Sequence, residues 1–279
     1  MRILLTNDDS HQSPLLAFVI DYLRTIAELT IVVPKHEQSW KGKSMTRFGY
    51  LHLEEISLFG KKAYTIDGTP ADCVNIGIHH LYEDSRPDFI VSGINAGLNA
   101  GLGFIWSSGT LGACFEANIA GVPAIAFSQH FDAETRTSYI ASYVIPQPTY
   151  DRLEQQTKVI FSRLFKVFLD KNKKLLDAPI TWNINFPFFA ASGFRCVTCP
   201  SGQSFYGSCF AKRELELGDN KSEKVVRFEH ELKQVFSDDS ATSDSKLLTD
   251  GHVTLTPINI RSFAQIEDPS LQGFKNIFT

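Results

Sequence analysis

Asn7, Asp8, Asp9 and Ser10 follow directly on the short apolar run Ile3–Thr6. Adjacent carboxylates repel each other, so the placement asks for a counter-charge. A divalent cation such as Mg²⁺ or Mn²⁺ supplies one, and it takes carboxylate, amide, hydroxyl and water oxygens as ligands. Those donors recur along the chain. The stretch PKHEQSWKGKSMT (34–46) is rich in Ser, Lys and Gly, SGINAGLNAG (92–101) holds Asn95 and Asn99 among glycines, and SSGTLGA (107–113) opens a helix. The glycine-rich turns and a helix beginning near Gly109 present backbone N–H groups to an anion. The set suits a hard cation together with a phosphate. Taken singly, each piece has an ordinary reading. Asp8 and Asp9 would cap the next helix, Asn95 would fill a turn, and Ser108 would be an N-cap. One geometric condition follows: neighbouring strand residues point to opposite faces, so the chain must have left its strand by Asp9.

The elements that position these residues alternate. Strands are expected at Ile3–Thr6, Thr30–Val33, Ala63–Ile66, Phe89–Ser92, Ala124–Ser128 and Thr181–Asn185, with a further one at 252–258. They read as nearly continuous apolar runs, as strands buried on both faces do. Helices are expected between them. In 14–25, Leu16, Val19, Ile20 and Leu23 recur at helical spacing. In 70–82, Thr69 suits the N-cap, Pro70 the first turn and Asp72 the positive helix end. Residues 110–120 stop at Gly121 with Pro123 beyond, and 150–170 align Leu153, Ile160, Leu164 and Phe168. This alternation predicts an α/β fold: a doubly wound, mostly parallel, Rossmann-like sheet with helices on both faces. In such a sheet ligands bind beyond the carboxyl ends of the strands, where the polar stretches fall. The expected division is an α/β catalytic core over 1–190 and a smaller β-rich extension over 191–279. The Ser- and Asp-rich run Ser237–Ser245 reads as an exposed, mobile loop.

Composition narrows the class. The chain has 279 residues, 43% hydrophobic and 21% charged, with net charge −4. That length holds a substantial core, and the charge advertises no nucleic-acid polymer as partner. No apolar run reaches the roughly 18 residues of a membrane helix, and the N-terminal run is too short for a signal peptide. A cytoplasmic protein is expected. The five cysteines, including the single C-x-x-C of Cys196 and Cys199, lack a fourth zinc ligand and read as ordinary reduced thiols.

Taken together the motifs resemble the SurE-like survival-protein family, metal-dependent phosphatases acting on nucleoside monophosphates. The pieces that carry the resemblance are Asn7–Ser10, then Pro34, Ser39, Ser44 and Thr46. Gly68–Val74 (GTPADCV) and Pro87–Gly101 follow, then Ser108–Thr110 and Gly121–Ala126. Asn183, Asn185 and Pro187, and the late stretch from Asp244 to Pro257, complete the series. It runs in order over nearly the whole chain. By matching position the resemblance implies Asp8, Asp9, Ser39 and Asn95 as ligands of one divalent metal ion per subunit, Mg²⁺ or Mn²⁺. It implies that Ser108 and Thr110, with Gly109, hold the phosphate, and that Asp8, Asp9 and Asn95 share in catalysis. It implies 5′- or 3′-nucleotidase activity, with polyphosphate as a further substrate, in a homodimer or homotetramer joined partly through Ser237–Thr279.

The chain also departs from the family pattern. Ser10 and Trp40 stand where glycines are usual. If residue 10 requires positive φ, serine costs on the order of 1 kcal/mol there. A ring at position 40, next to Ser39, would crowd the site or stack on a base. The stretch from Asn99 to Ser108 is one residue longer than usual, with Trp106 near an expected tyrosine. The rival reading is a non-catalytic nucleotide- or metal-binding protein with the same fold and an altered pocket. A phosphate-signalling receiver lacks its lysine here, a haloacid-dehalogenase-type phosphatase lacks D-x-D, and a dinucleotide enzyme lacks G-x-G-x-x-G after the first strand.

Overall fold

Ile3, Leu4 and Leu5 are all fully buried, yet they serve two different cores. Ile3 and Leu5 join one apolar cluster, and Leu4 joins the other. The alternation of side chains along a strand sends each to its own face. A computed structural model describes residues 1–82, 85–216 and 224–262. Its elements begin with β1 (Arg2–Thr6), α1 (Leu15–Leu23), β2 (Glu28–Pro34), β3 (Leu53–Leu58), β4 (Lys61–Ile66) and α2 (Pro70–Ile76). Next come β5 (Phe89–Ala96), α3 (Leu102–Ser107), α4 (Gly109–Ile119), β6 (Ala124–Gln129), α5 (Ala133–Ser142), α6 (Gln147–Phe168) and β7 (Thr181–Phe186). The remainder is β8 (Cys196–Thr198), β9 (Phe205–Tyr206), β10 (Phe210–Glu216), β11 (Lys224–His230), β12 (Val235–Phe236), α7 (Asp244–Thr249) and β13 (Val253–Ile258).

Nine strands form one sheet in the order β3-β4-β2-β1-β5-β6-β7-β13-β8. From β4 through β7 every neighbouring pair is parallel; β3 and β13 run against β4 and β7. Helices α1 and α6 cover one face through Leu16, Val19, Ile20, Leu153, Ile160, Leu164 and Phe168. Helices α2 and α4 cover the other through Cys73, Val74, Leu111 and Cys114. The expected doubly wound sheet is therefore the observed one. The helix expected over 70–82 is α2 followed by a wider π turn at Gly77–Leu81, and it starts with the capping box of Thr69 and Asp72. The winding changes direction between β1 and β5, where two adjacent parallel strands send their connections to opposite sides.

Beyond β7 the chain returns to the sheet edge through β13 and β8, and β10 pairs with β11 in a separate antiparallel arm. The run expected as an exposed loop is exposed through Thr242 apart from a partly covered Asp238. Ser243 and Asp244 then turn inward: Ser243 caps α7, and the carboxylate of Asp244 is fully buried. Residues 263–279, part of the stretch expected to join subunits, lie outside the described residues.

Candidate active site

The strand β1 ends at Thr6, so Asn7, Asp8 and Asp9 lie beyond it and both carboxylates turn toward the same crevice. Asp8 faces the start of α4. Its Oδ1 accepts the Thr110 hydroxyl at 2.7 Å, and its Oδ2 accepts the Thr110 N–H at 3.1 Å. Asp9 faces the end of β5, where its Oδ2 accepts the Ala96 N–H at 2.8 Å, one residue beyond Asn95. Ser108 caps α4 by accepting the Leu111 N–H at 3.1 Å, which leaves its own hydroxyl proton free to donate. Asp8, Asp9, Asn95, Ser108 and Thr110 are all buried, and Ser39 is half-buried.

Ser39 lies on the loop after β2, next to Gln38 whose backbone meets Asp8, and many ties hold that loop. Gln38 N–H donates to the Asp8 carbonyl at 2.8 Å, and Gly42 N–H to the Ser107 carbonyl at 2.9 Å. Lys43 pairs with the buried Glu116 at 2.6 Å, the Thr69 hydroxyl donates to the Ser44 carbonyl, and Thr46 donates to Asp72. Ser44 and Thr46 thus belong to the loop's anchorage. Contact is close enough to require glycine: a Cβ on Gly112 would stand 2.1 Å from the Gly42 carbonyl oxygen. Ser10 and Trp40 adopt φ of 71° and 62°, the left-handed conformation that glycine tolerates best. The backbone therefore keeps the glycine-type shape at both substituted positions.

Among the described residues no cationic side chain offsets the charge in the crevice. Burial pushes the Asp8 carboxyl up from 3.8 to about 6, against the lowering effect of the Thr110 hydroxyl. Burial, and then the charge of Asp8, holds Asp9 well above the ordinary carboxylate range. The exposed Glu37, whose carboxylate accepts the Ser39 N–H at 2.9 Å, raises both. No described lysine, arginine or histidine figures among the charges that lower either. The Oδ1 of Asn7 is also buried without a hydrogen-bond partner. Two buried acids without a counter-charge, an amide, hydroxyls and an unpartnered oxygen are the donors a hard divalent cation takes. Among the described residues no three His, Cys, Asp or Glu side chains are grouped so as to hold a metal ion, so such an ion would depend on other donors as well.

Two polar residues near the crevice have structural duties. Asn99 is a brace: its N–H donates to Asn185, its side chain to Ser128, and its carbonyl accepts from Asn183 and Asn185. His130 is partly buried after β6, where desolvation lowers its pKa, and its N–H donates to the Phe186 carbonyl. Three contributions escaped the sequence reading. Glu37 adds negative charge. Tyr139 on α5 donates to Ser13 at 2.9 Å behind the acidic pair. Asp244 bridges the N–H groups of Gly101 and Gly202, both at 2.9 Å, and so ties the loop after β5 to the C-terminal stretch. Only the late Asp of the motif series hinted at the last.

Known proteins resemble this chain in sequence and in fold. The family described as "Survival protein SurE" matches residues 3–207. A protein of Campylobacter lari named 5′-nucleotidase SurE is 32% identical over 273 residues, spanning 96% of each chain. One of the same name from Methanocella arvoryzae is 40% identical over 159 residues, spanning 56% of this chain and 60% of that one. Among solved structures, the SurE protein from Aquifex aeolicus superposes with a TM-score of 0.64 at 24% identity, covering 96% of this chain and 98% of that one.

Proposed function

This chain belongs to the SurE survival-protein family, and from that premise we propose that it is a divalent-metal-dependent 5′-nucleotidase. It hydrolyses nucleoside monophosphates to nucleoside and phosphate. The observation that carries this reading is the buried Asp8–Asp9 pair, with no counter-cation among the described residues, facing the first turn of α4.

Asp8, Asp9, Ser39 and Asn95 would hold one Mg²⁺ or Mn²⁺ per subunit. Bound there, the ion would polarise a phosphoryl oxygen and acidify a water. Each carboxylate oxygen has two acceptor sites, so the bonds to Thr110 and Ala96 leave room for a ligand bond. The chain's own residues divide the remaining work. Thr110 fixes the plane of the Asp8 carboxylate. Asp9 is the freer acid, because no described hydrogen bond engages its Oδ1. That unengaged oxygen suits Asp9 to take a proton from the attacking water. Water oxygen bonds to phosphorus, the ester P–O bond breaks, and the leaving nucleoside oxygen takes up a proton. The Ser108 hydroxyl and the N–H of Gly109 donate to the phosphoryl oxygens, where charge grows in the transition state.

The positive φ of Ser10 and Trp40 supports a catalytic protein over a binding-only one, since neither substitution displaces the backbone that carries Asp9 or Ser39. We further read the arm β10–β11, with exposed Phe210 and Phe228, as a contact in a homodimer or homotetramer. Five free cysteines accord with a reducing, cytoplasmic setting. No described helix is long and apolar enough to cross a membrane. The reading is tested by phosphate release from nucleoside 5′- and 3′-monophosphates with Mg²⁺, Mn²⁺ or EDTA. It requires release with metal and none with EDTA; absence of release with every metal refutes it.

A further inference from the structure

Trp40 combines a strained backbone with a partly exposed ring. Its backbone sits at φ 62°, and its side chain is 39% exposed. Left-handed backbone costs a non-glycine residue on the order of 1–2 kcal/mol, and the exposed part of the indole forgoes burial that would offset that cost. Trp40 belongs to neither apolar core. It stands midway between the two anchors of the loop, Gln38 on Asp8 and Gly42 on Ser107, and next to Ser39. A Cβ on Gly109, where the phosphate is proposed to bind, would stand 2.8 Å from the Gln38 carbonyl oxygen. The indole is thus held by a short, pinned loop beside the phosphate end of the crevice.

Other rings brace it. Tyr206 and His230 each approach the indole at 4.8 Å between centroids and 61° between planes, and Phe104 at 6.3 Å and 68°. Phe104 also packs edgewise on Tyr206 at 5.8 Å. These rings come from four separate places: the loop after β2, α3, β9 and the end of β11. None lies parallel on the indole, so no described ring occupies a stacking position against it.

We propose that Trp40, braced by Tyr206 and His230, is the platform on which the nucleobase of the substrate stacks. It thereby makes the site prefer nucleotides over phosphate esters that lack a base. The inference rests on the nucleotidase reading and deepens it. A phosphomonoester anchored at Ser108 and Gly109 must send its organic part outward past the loop. A flat base finds there a large π face. Stacking on an aromatic side chain accepts any base, because every base has a π face. Purines, with the larger face, gain more than pyrimidines. A sugar phosphate gains nothing from the ring.

The test compares kcat/KM for AMP, CMP and ribose 5-phosphate in the wild type, Trp40→Ala and Trp40→Phe. Alanine keeps the same demand for positive φ, and Trp40→Gly serves if the alanine variant fails to fold. The nucleotide-to-ribose 5-phosphate ratio is expected to fall about 5- to 100-fold in Trp40→Ala, more for AMP than CMP, with Trp40→Phe between. An unchanged ratio overturns the platform, because a merely structural ring would move all substrates together. Indole fluorescence gives a second readout that needs no turnover. AMP should quench the wild type more than ribose 5-phosphate does, and this difference should vanish in Trp40→Phe. Its persistence there also overturns the proposal. If the wild type releases phosphate from nothing, the nucleotidase reading fails, and the quench still reports whether a base meets Trp40.

Discussion

Thr110 Oγ1 lies 2.7 Å from Asp8 Oδ1, and its N–H lies 3.1 Å from Asp8 Oδ2. One residue at the start of α4 thereby grips both oxygens of an acid 102 positions earlier. The contact joins the end of β1 to the helix N-terminus, the two features that make this crevice suit a cation and a phosphate. A hydroxyl-to-carboxylate bond contributes roughly 1.5–3 kcal/mol. Thr110→Val keeps the shape and removes the donor. It should lower kcat about 10- to 100-fold, on the scale of losing one such bond, while Thr110→Ser restores most of the rate. Steady-state kinetics on the three proteins check this; an unchanged kcat in the valine variant would show that the grip is idle.

Proton and metal should compete for the acidic pair. Asp8 titrates near 6 in the fold against 3.8 ordinarily. Between those values the folded chain binds more protons than the unfolded chain, so metal-free stability falls as pH rises through that window. Asp9 is shifted in the same direction. A divalent cation replaces the proton as counter-charge. The rise in Tm on adding Mn²⁺ should therefore be larger at about pH 7.5 than at about pH 5. Thermal melts with Mn²⁺ and with EDTA at both values decide; an equal rise at both removes the pair as the seat of the ion.

Gly112→Ala sets two effects against each other. In the interior of α4 alanine is favoured over glycine by about 1 kcal/mol. The new methyl would stand 2.1 Å from the Gly42 carbonyl oxygen, and the loop carrying Ser39 would have to move. Overpacking of this kind costs about 1–3 kcal/mol, so the clash should win. The expected result is a lower Tm together with weaker metal-dependent turnover. A raised Tm with full activity would mean that the loop yields without consequence.

Asp244→Ala removes an acceptor shared by the buried N–H groups of Gly101 and Gly202. Each stranded donor costs about 1–3 kcal/mol. Urea denaturation should show a loss of about 2–5 kcal/mol, with turnover reduced because the loop after β5 leads from Asn95 into α3. A loss below about 1 kcal/mol, no more than an ordinary surface change, would show that water replaces the carboxylate.

What could be read from the chain depended on which force placed each residue. Strands β1, β5 and β6 were legible because they are buried on both faces and lack alternation. The edge strand β3 (LEEISL) was not, because five of its six residues are exposed or partly so and its charges break the apolar run. Helix α5 buries only Thr135 and Tyr139, too little to set a period. The acids, amides and hydroxyls of the crevice were legible as a set, because α/β sheets collect such residues at strand ends. The positive φ of Ser10 and Trp40 was foreshadowed by the glycines they replace. Asp244 was not foreseen as buried: a Ser- and Asp-rich run favours water, and besides the neighbouring Ser245 N–H it is the distant N–H groups of Gly101 and Gly202 that hold that carboxylate inside. Glu37 acts through space on Asp8 and Asp9, which no local pattern records.

The central claim is that Asp8 serves a metal-dependent hydrolysis. It is tested most directly by phosphate release from AMP in saturating Mn²⁺ by the wild type and Asp8→Asn, with Tm measured on both. Asparagine is nearly isosteric but removes the charge that the ion and its water require. The account predicts a rate lower by about three orders of magnitude or more, a loss of at least about 4 kcal/mol in transition-state stabilisation, with the fold intact. Turnover near the wild-type rate in Asp8→Asn would contradict it.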